Sequence, residues 1–123
     1  MQTLDQLRAK YAWERVQDST KEYGGLAKSM PALVMSNGLL QTLAFLKGKG
    51  KAEHDRLLAD ILFWLADKSC NVLSANGKNF KTGMAELAQS DSMKYQRATE
   101  EALAILRWIR HLASAVLATE KKP

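Results

Sequence analysis

The sequence offers few side chains that could carry out chemistry. His54 and His111 are the only imidazoles, and neither has a cysteine or carboxylate at ligand spacing on its own helical face. A zinc or di-iron site needs such a cluster. The single cysteine, Cys70, lies in an apolar stretch with Lys68 as its only close cation, which is typical of an inert buried thiol. The sequence therefore predicts no metal site and no activated nucleophile.

Phosphate loops and acid–base pairs are also missing from the pattern. Residues 47–51 alternate lysine with glycine, but the Ser or Thr hydroxyl of a Walker-type loop does not follow them. The carboxylates are scattered over predicted solvent faces, so none forms a general acid–base pair. We therefore predict a non-catalytic protein that uses no cofactor. An enzyme would require a buried polar cleft around Asn37 and Gln41.

What remains is a set of basic residues, some of them beside aromatic rings. Arg8, Tyr11 and Arg15 follow i, i+3, i+7 spacing, which places two guanidinium groups and a ring along one stripe of a helix. Such a stripe can contact phosphates and stack on bases. An alternative remains open, in which these cations only solubilise the surface and pair with acidic neighbours such as Glu100 and Glu101. The candidate phosphate contacts are Arg8, Arg15, Lys47, Lys49, Arg97, Arg107 and Arg110.

The length of the chain and the distribution of its charges indicate how these residues are arranged. With 123 residues, of which 46% are hydrophobic, the chain is long enough for one domain, residues 1–123, to bury a core without disulfides. The formal net charge is +5, and both ends are basic while residues 52–93 carry four basic against six acidic groups. If the first and last segments pack side by side, one face of the protein should be basic.

The first residues do not have the composition of a signal peptide, and the longest nearly uncharged segment is a poor candidate for a membrane span. Met1 precedes a polar stretch, and the longest nearly uncharged segment, residues 29–46, contains Pro31, Gly38 and several polar residues. With a single cysteine and no such segment, the sequence predicts a cytoplasmic protein that does not contact membranes.

Apolar residues recur with helical periodicity throughout, and no run alternates as a strand would. We predict an all-α fold, a compact bundle of about five helices. The predicted helices cover residues 4–23, ending at Gly24-Gly25, residues 31–46, residues 52–73, residues 82–89 and residues 93–119, with residues 120–123 as a frayed tail.

One predicted helix, residues 31–46, is apolar around nearly its whole circumference. That pattern is typical of a helix surrounded by others, so we expect it at the centre of the bundle, with Leu40 and Phe45 in the core. In the helix of residues 52–73, Leu57, Ile61 and Leu65 should face the core, while Asp60 should face water.

Several segments together resemble one protein family. Residues 36–46, Ser-Asn-Gly-Leu-Leu-Gln-Thr-Leu-Ala-Phe-Leu followed by lysines, are similar to a signature of the small subunit of type III-B CRISPR effector complexes, the Cmr family. Residues 8–12, residues 22–32 and the ending with Tyr95, Trp108 and Arg110 agree in order with that family. The resemblance covers nearly the whole chain and is poorest over residues 68–92.

The resemblance implies a non-catalytic, all-helical protein whose copies stack along a filament, beside the backbone subunits and beneath the large subunit. It implies contact with the crRNA and with the backbone of the target RNA, while cleavage belongs to the backbone subunit. The seven basic residues above are then the candidate RNA contacts. Two alternatives remain at this point: a type III-A small subunit, and an all-helical protein-interaction module whose basic charge is incidental.

Overall fold

The computed structural model describes residues 1–120, and within them it contains helices and no strand. The prediction of an all-α fold is confirmed, although the number of α-helices is six rather than about five. They are α1 (Leu4–Arg15), α2 (Lys21–Asn37), α3 (Leu39–Lys49), α4 (Ala52–Leu65), α5 (Phe80–Gln89) and α6 (Ser92–Glu120), with a 3₁₀ turn at Ala75–Lys78. Glu120, expected in the tail, ends α6, and the remainder of that predicted tail, residues 121–123, lies outside the described residues.

The first predicted helix, residues 4–23, is in fact two helices. The side chain of Thr20 accepts a hydrogen bond of 3.1 Å from the backbone N–H of Tyr23 and so caps a new helix. Gly24 and Gly25 therefore lie inside α2 and do not end a helix. A Cβ on Gly24 would lie 2.7 Å from Leu117 Cδ1, so this glycine allows α2 and α6 to pack closely.

The predicted central helix, residues 31–46, is also divided. Gly38 has φ of +84°, a conformation that favours glycine, and it separates α2 from α3. The first turn of α3 has no side-chain cap from its own chain neighbours, but the Tyr95 hydroxyl accepts a 3.1 Å hydrogen bond from the Leu40 N–H. Phe45 is 39% exposed and Leu40 is half-buried, so neither belongs to the fully buried core.

The helix that the others surround is α4, since eight of its fourteen residues are buried and it contacts α2, α3, α6 and the 3₁₀ turn. It ends at Leu65, well before the predicted residue 73. The chain then turns back, with Asn71 at a positive φ of 54°, and Val72 and Leu73 both donate backbone hydrogen bonds to the Leu65 carbonyl. This turn buries Val72 and Leu73 beneath the end of the helix.

The last two helices begin and end within two residues of their predicted bounds. The Asn79 side chain caps α5, and the Asp91 side chain accepts a hydrogen bond from Lys94 N–H at the start of α6. Helix α6 is long and apolar enough to cross a membrane by composition alone, but it packs against α1, α2 and α4 and buries a stripe of its residues in the bundle. The stripe consists of Ala98, Glu101, Ala102, Ile105, Leu106, Ile109 and Ala113.

Candidate nucleic-acid interface

Arg8 lies at the packing surface between α1 and α6. Its guanidinium group binds Glu101 with both arms, since Nε lies 3.0 Å from Oε1 and Nη2 lies 2.6 Å from Oε2. Trp64 Nε1 donates a further hydrogen bond of 3.1 Å to Glu101 Oε1. Burial raises the pKa of Glu101, but the hydrogen bonds from Arg8 and Trp64 outweigh it and leave the pKa below its usual 4.5. The charge of Arg8 is therefore balanced inside the fold.

A second contact between the same two helices lies nearer the surface and runs through Asp5 of α1. Arg8 Nη1 lies 3.3 Å from Asp5 Oδ1, and the same carboxylate oxygen accepts a 3.0 Å hydrogen bond from Trp108 Nε1. Both hydrogen bonds lower the pKa of Asp5, and the one from Trp108 has the larger effect. Trp108, which the family resemblance singled out, thus ties α6 to α1.

Arg15 is also held by a carboxylate, which belongs to α4. Its Nε lies 2.9 Å from Asp60 Oδ1, and the Tyr23 hydroxyl donates a 2.6 Å hydrogen bond to Asp60 Oδ2. The Tyr11 hydroxyl donates to the Asp60 carbonyl. Asp60 is buried, contrary to the prediction that it faces water, and burial raises its pKa against the effects of Tyr23 and Arg15. This cluster holds the corner between α1 and α2 against α4.

Arg56, which the sequence did not single out, completes that corner. Its Nη2 donates a 2.6 Å hydrogen bond to Asp18 Oδ1 and another to the Arg15 carbonyl, and its guanidinium lies 4.5 Å from the centre of the Tyr23 ring. No spacing pattern signals this role, because its partners lie 38 and 41 residues away in the chain.

The lysines at the end of α3 are arranged differently, because each lies over an aromatic ring and none forms an ion pair within residues 1–120. Lys47 Nζ lies 5.7 Å from the centre of the Phe80 ring, and Lys49 Nζ lies 5.7 Å from that of Phe45. A third lysine, Lys78, was not predicted from the sequence, and its Nζ lies 5.4 Å from the centre of the Phe63 ring. We call this set the lysine–phenylalanine surface: Lys47, Lys49, Lys78, Phe45, Phe63 and Phe80.

These residues are neighbours because the elements that carry them touch one another. Helix α3 contacts α4 and α5, and the 3₁₀ turn that carries Lys78 contacts α4 and α5. The ring of Phe63 also lies 5.0 Å from the guanidinium of Arg15, which joins this surface to the corner of α1 and α2. An interleaving of exposed cations and aromatic rings suits a single-stranded nucleic acid, since cations bind phosphates and rings stack on bases.

The three remaining predicted contacts lie on α6. Arg97 Nη2 donates a 2.6 Å hydrogen bond to the Cys70 carbonyl. Arg107 and Arg110 are exposed on α6 outside its buried stripe, and neither has an ion-pair partner among the described residues. The seven predicted contacts therefore lie in separate places: two within ion pairs, two on the lysine–phenylalanine surface and three on α6.

The single cysteine and the two histidines lie in separate parts of the fold. Burial raises the pKa of Cys70 to about 12, as expected for an inert thiol. His54 is buried beside Phe45 and Glu53, and His111 is exposed on α6. Within residues 1–120 no three His, Cys, Asp or Glu side chains lie close enough to hold a metal ion. Asn37 and Gln41, around which an enzyme would need a buried cleft, are both exposed.

Comparison with known proteins supports the resemblance. Residues 4–116 match the family model of the CRISPR-associated protein Cas_Cmr5. The chain is 33% identical over 122 residues to the CRISPR system Cmr subunit Cmr5 of Thermus thermophilus, covering 95% of this chain and 98% of that protein. An X-ray crystal structure of a CRISPR-associated Cmr5 family protein from the same organism superposes with a TM-score of 0.77 at 27% identity, covering 95% of this chain and 99% of the other.

The agreement extends over sequence and fold together, and it confirms the resemblance to the small subunit of type III-B complexes over the type III-A alternative. The chain belongs to the Cmr5 family of CRISPR-associated proteins.

Proposed function

We propose that this protein is the non-catalytic small subunit of a cytoplasmic Cmr effector complex, in which its copies stack along the filament and contact the backbone of the bound target RNA. Its partners are the backbone and large subunits, other copies of itself, the crRNA and the target RNA. Family membership supports the place in the complex. The observation that supports the RNA contact is the lysine–phenylalanine surface, whose cations have no carboxylate partner among the described residues.

We propose a smaller set of residues for the RNA contact than the seven that the sequence suggested. Arg8 and Arg15 neutralise Glu101 and Asp60, so moving either one onto a phosphate would leave a buried carboxylate without its cation. We assign both to the fold. Lys47 and Lys49 keep the proposed role and gain Lys78 as a neighbour. Arg107 and Arg110 on the outer side of α6, with Arg97 at its start, form a second, smaller set of candidates.

Contacts of this kind need no base recognition, because in a guide-directed complex base pairing reads the sequence. Lysines attract phosphates of any sequence, and the aromatic rings beside them stack on any base. A few such contacts give one copy weak affinity. Alignment of several copies on one filament raises the effective concentration and makes the combined contact firm.

We expect replacement of Lys47, Lys49 and Lys78 together by Gln to weaken binding of single-stranded RNA and to flatten its salt dependence. For single strands, log K falls with log salt by about 0.7 for each phosphate neutralised, so the slope should lose about 2. Fluorescence anisotropy with a labelled oligouridine between low and moderate salt measures both quantities.

The matched control replaces Lys10, Lys68 and Lys94 by Gln, because these lysines are also exposed but lie over no aromatic ring of residues 1–120. This variant loses the same formal charge and should keep nearly the whole slope. If the slope of log K against log salt falls by the same amount in both triple variants, the RNA contact is not confined to the lysine–phenylalanine surface. If neither changes the slope, the basic charge is incidental and the protein-interaction alternative stands.

We expect no RNA cleavage by the purified protein. Incubation of the protein with single-stranded RNA and Mg²⁺ or Mn²⁺, followed by gel analysis, should leave the RNA intact. The hypothesis fails if degradation requires the metal ion and is lost when His54 or His111 is replaced by Ala, since a contaminating ribonuclease would not respond to those substitutions.

A further inference from the structure

Gly25 lies in the interior of α2, and nothing within residues 1–120 explains why it is a glycine. It is exposed, its φ is negative, and a Cβ built on it would meet no described atom within 4 Å. Glycine weakens a helix interior relative to alanine, because it loses more backbone entropy on folding. Its neighbour Gly24 differs, since a side chain there would collide with Leu117. The absence of a side chain at Gly25 therefore suits something outside this chain that approaches the α2 backbone closely.

An open groove of about 320 Å³ runs between α2 and α6 at this point. The two helices are antiparallel here, since Gly24 faces Leu117 at one end and Gly38 faces Tyr95 at the other. The floor and walls come from small or apolar residues. They are Gly24, Gly25, Ser114, Leu117 and Ala118.

Two lysines of α2, Lys21 and Lys28, line the rim of this groove. They are seven residues apart on one helical face, which separates them by about 10 Å along the axis. Neither forms an ion pair within residues 1–120. An apolar floor with a charged rim is the usual composition of a protein interface. RNA is less suitable, because no aromatic ring lines the groove and phosphates would lie over Leu117 and Ala118.

We propose that this groove binds a helix of another subunit, one that carries acidic residues two turns apart opposite Lys21 and Lys28. The inference rests on the proposed membership of a multisubunit complex. A groove between two antiparallel helices accommodates a third helix, and a small residue at the contact lets the backbones approach. Carboxylates at i and i+7 on the incoming helix would meet both lysines.

A second copy of this chain lacks the matching helix. Within the described helices, the only acidic residues seven apart are Glu53 and Asp60 of α4, and Asp60 is buried. Glu100 and Glu101 of α6 are adjacent, and Glu101 is bound to Arg8. No described helix of a second copy therefore presents the acidic pair that this proposal requires, and we assign the groove to a helix of a different subunit.

Zero-length carbodiimide cross-linking of the assembled complex tests this proposal, because the reagent joins a lysine amine to a carboxylate in direct contact. Mass spectrometry should show Lys21 and Lys28 linked to Asp or Glu residues about seven apart in one helix of another subunit. Links to a second copy of this chain would overturn the proposal. So would the absence of protein links, including the case in which ultraviolet cross-linking instead joins these peptides to RNA.

Variants of Gly25 separate binding from folding. Gly25→Ala and Gly25→Leu should fold with a melting temperature equal to or above that of the wild type, because no atom of residues 1–120 obstructs the new side chain. Gly25→Leu should reduce incorporation into the co-expressed complex at least about tenfold, since the side chain would enter a packed contact. Gly25→Ala should have a smaller effect in the same direction.

Gly48→Ala is the matched control, since Gly48 is also an exposed glycine inside a helix with nothing within 4 Å of a built Cβ. It should leave incorporation unchanged. Normal incorporation of Gly25→Leu would overturn the docking site. Binding of oligouridine by the isolated Gly25 variants should equal that of the wild type, so this failure is distinguishable from a failure of the proposed RNA contact.

Discussion

Substitution of Arg8 by Met should lower the free energy of unfolding by about 3–5 kcal/mol, the typical effect of removing one partner of a buried ion pair. Methionine keeps the length of the apolar stem but removes both hydrogen bonds to Glu101, which is only 6% exposed. Trp64 alone would then satisfy a buried carboxylate. Urea denaturation followed by circular dichroism at neutral pH measures the loss.

Two further variants decide whether the loss comes from the ion pair. Arg110→Met removes an equally charged residue from the surface and should change the free energy of unfolding by no more than about 0.5 kcal/mol. Adding Glu101→Gln to Arg8→Met removes the unpaired negative charge of Glu101 and keeps a hydrogen-bond acceptor for Trp64. The double variant should therefore recover much of the lost free energy of unfolding. If Arg8→Met costs no more than Arg110→Met, Arg8 is a surface cation and returns to the RNA-binding candidates.

The same ion pair predicts a dependence of stability on acid. Because the folded protein holds the pKa of Glu101 below 4.5, this group stabilises the fold above pH 4.5, and its contribution disappears as the pH falls through the lower, folded-state pKa. The wild type should therefore lose stability in that window. In Arg8→Met the loss should shrink, because the interaction that lowers the pKa is absent.

Local sequence signals predicted the bounds of α5 and α6 to within two residues, whereas they missed the cap at Thr20 that begins α2. The predicted start of α6 at residue 93 is close to the observed start at Ser92, where the Asp91 side chain accepts the hydrogen bond that fixes the first turn. The role of a glycine could not be read from the sequence, because a glycine either adopts a positive φ or allows another segment to pack closely against the backbone. Gly38 takes a positive φ and breaks the expected central helix, whereas Gly24 permits close packing inside a helix that it was expected to end.

Periodicity also could not distinguish a solvated charge from a buried one. It placed Arg8 beside the apolar face of α1, but its partner Glu101 is 93 residues away and comes close only in the folded chain. Asp60 was placed towards water for the same reason, since the hydroxyl of Tyr23 and the guanidinium of Arg15 arrive from other helices. The lysine–phenylalanine surface was predicted only in part. Lys47 and Lys49 are close together in the sequence and could be grouped, whereas Lys78 is distant in the sequence and comes near them only in the folded chain.

Two residues of α3 test where the core lies. Leu43 is fully buried, whereas Phe45, expected in the core from its apolar surroundings in sequence, is 39% exposed and lies against His54 and Lys49. Leu43→Ala should cost about 2–5 kcal/mol through lost burial and the cavity that remains. Phe45→Ala leaves no enclosed cavity and removes only part of a buried ring, so it should cost about 1 kcal/mol.

Urea denaturation of the two variants beside the wild type, fitted with a common slope, gives both numbers. The difference between the two losses is the quantity to compare, since the substitutions are two residues apart in one helix and each changes helix propensity by less than about 0.7 kcal/mol. The ring of Phe45 is larger than the side chain of Leu43, so hydrophobicity alone predicts the opposite order. A greater loss for Phe45→Ala than for Leu43→Ala would mean that α3 presents its other face to α4, and the lysine–phenylalanine surface would then lose the ring beneath Lys49.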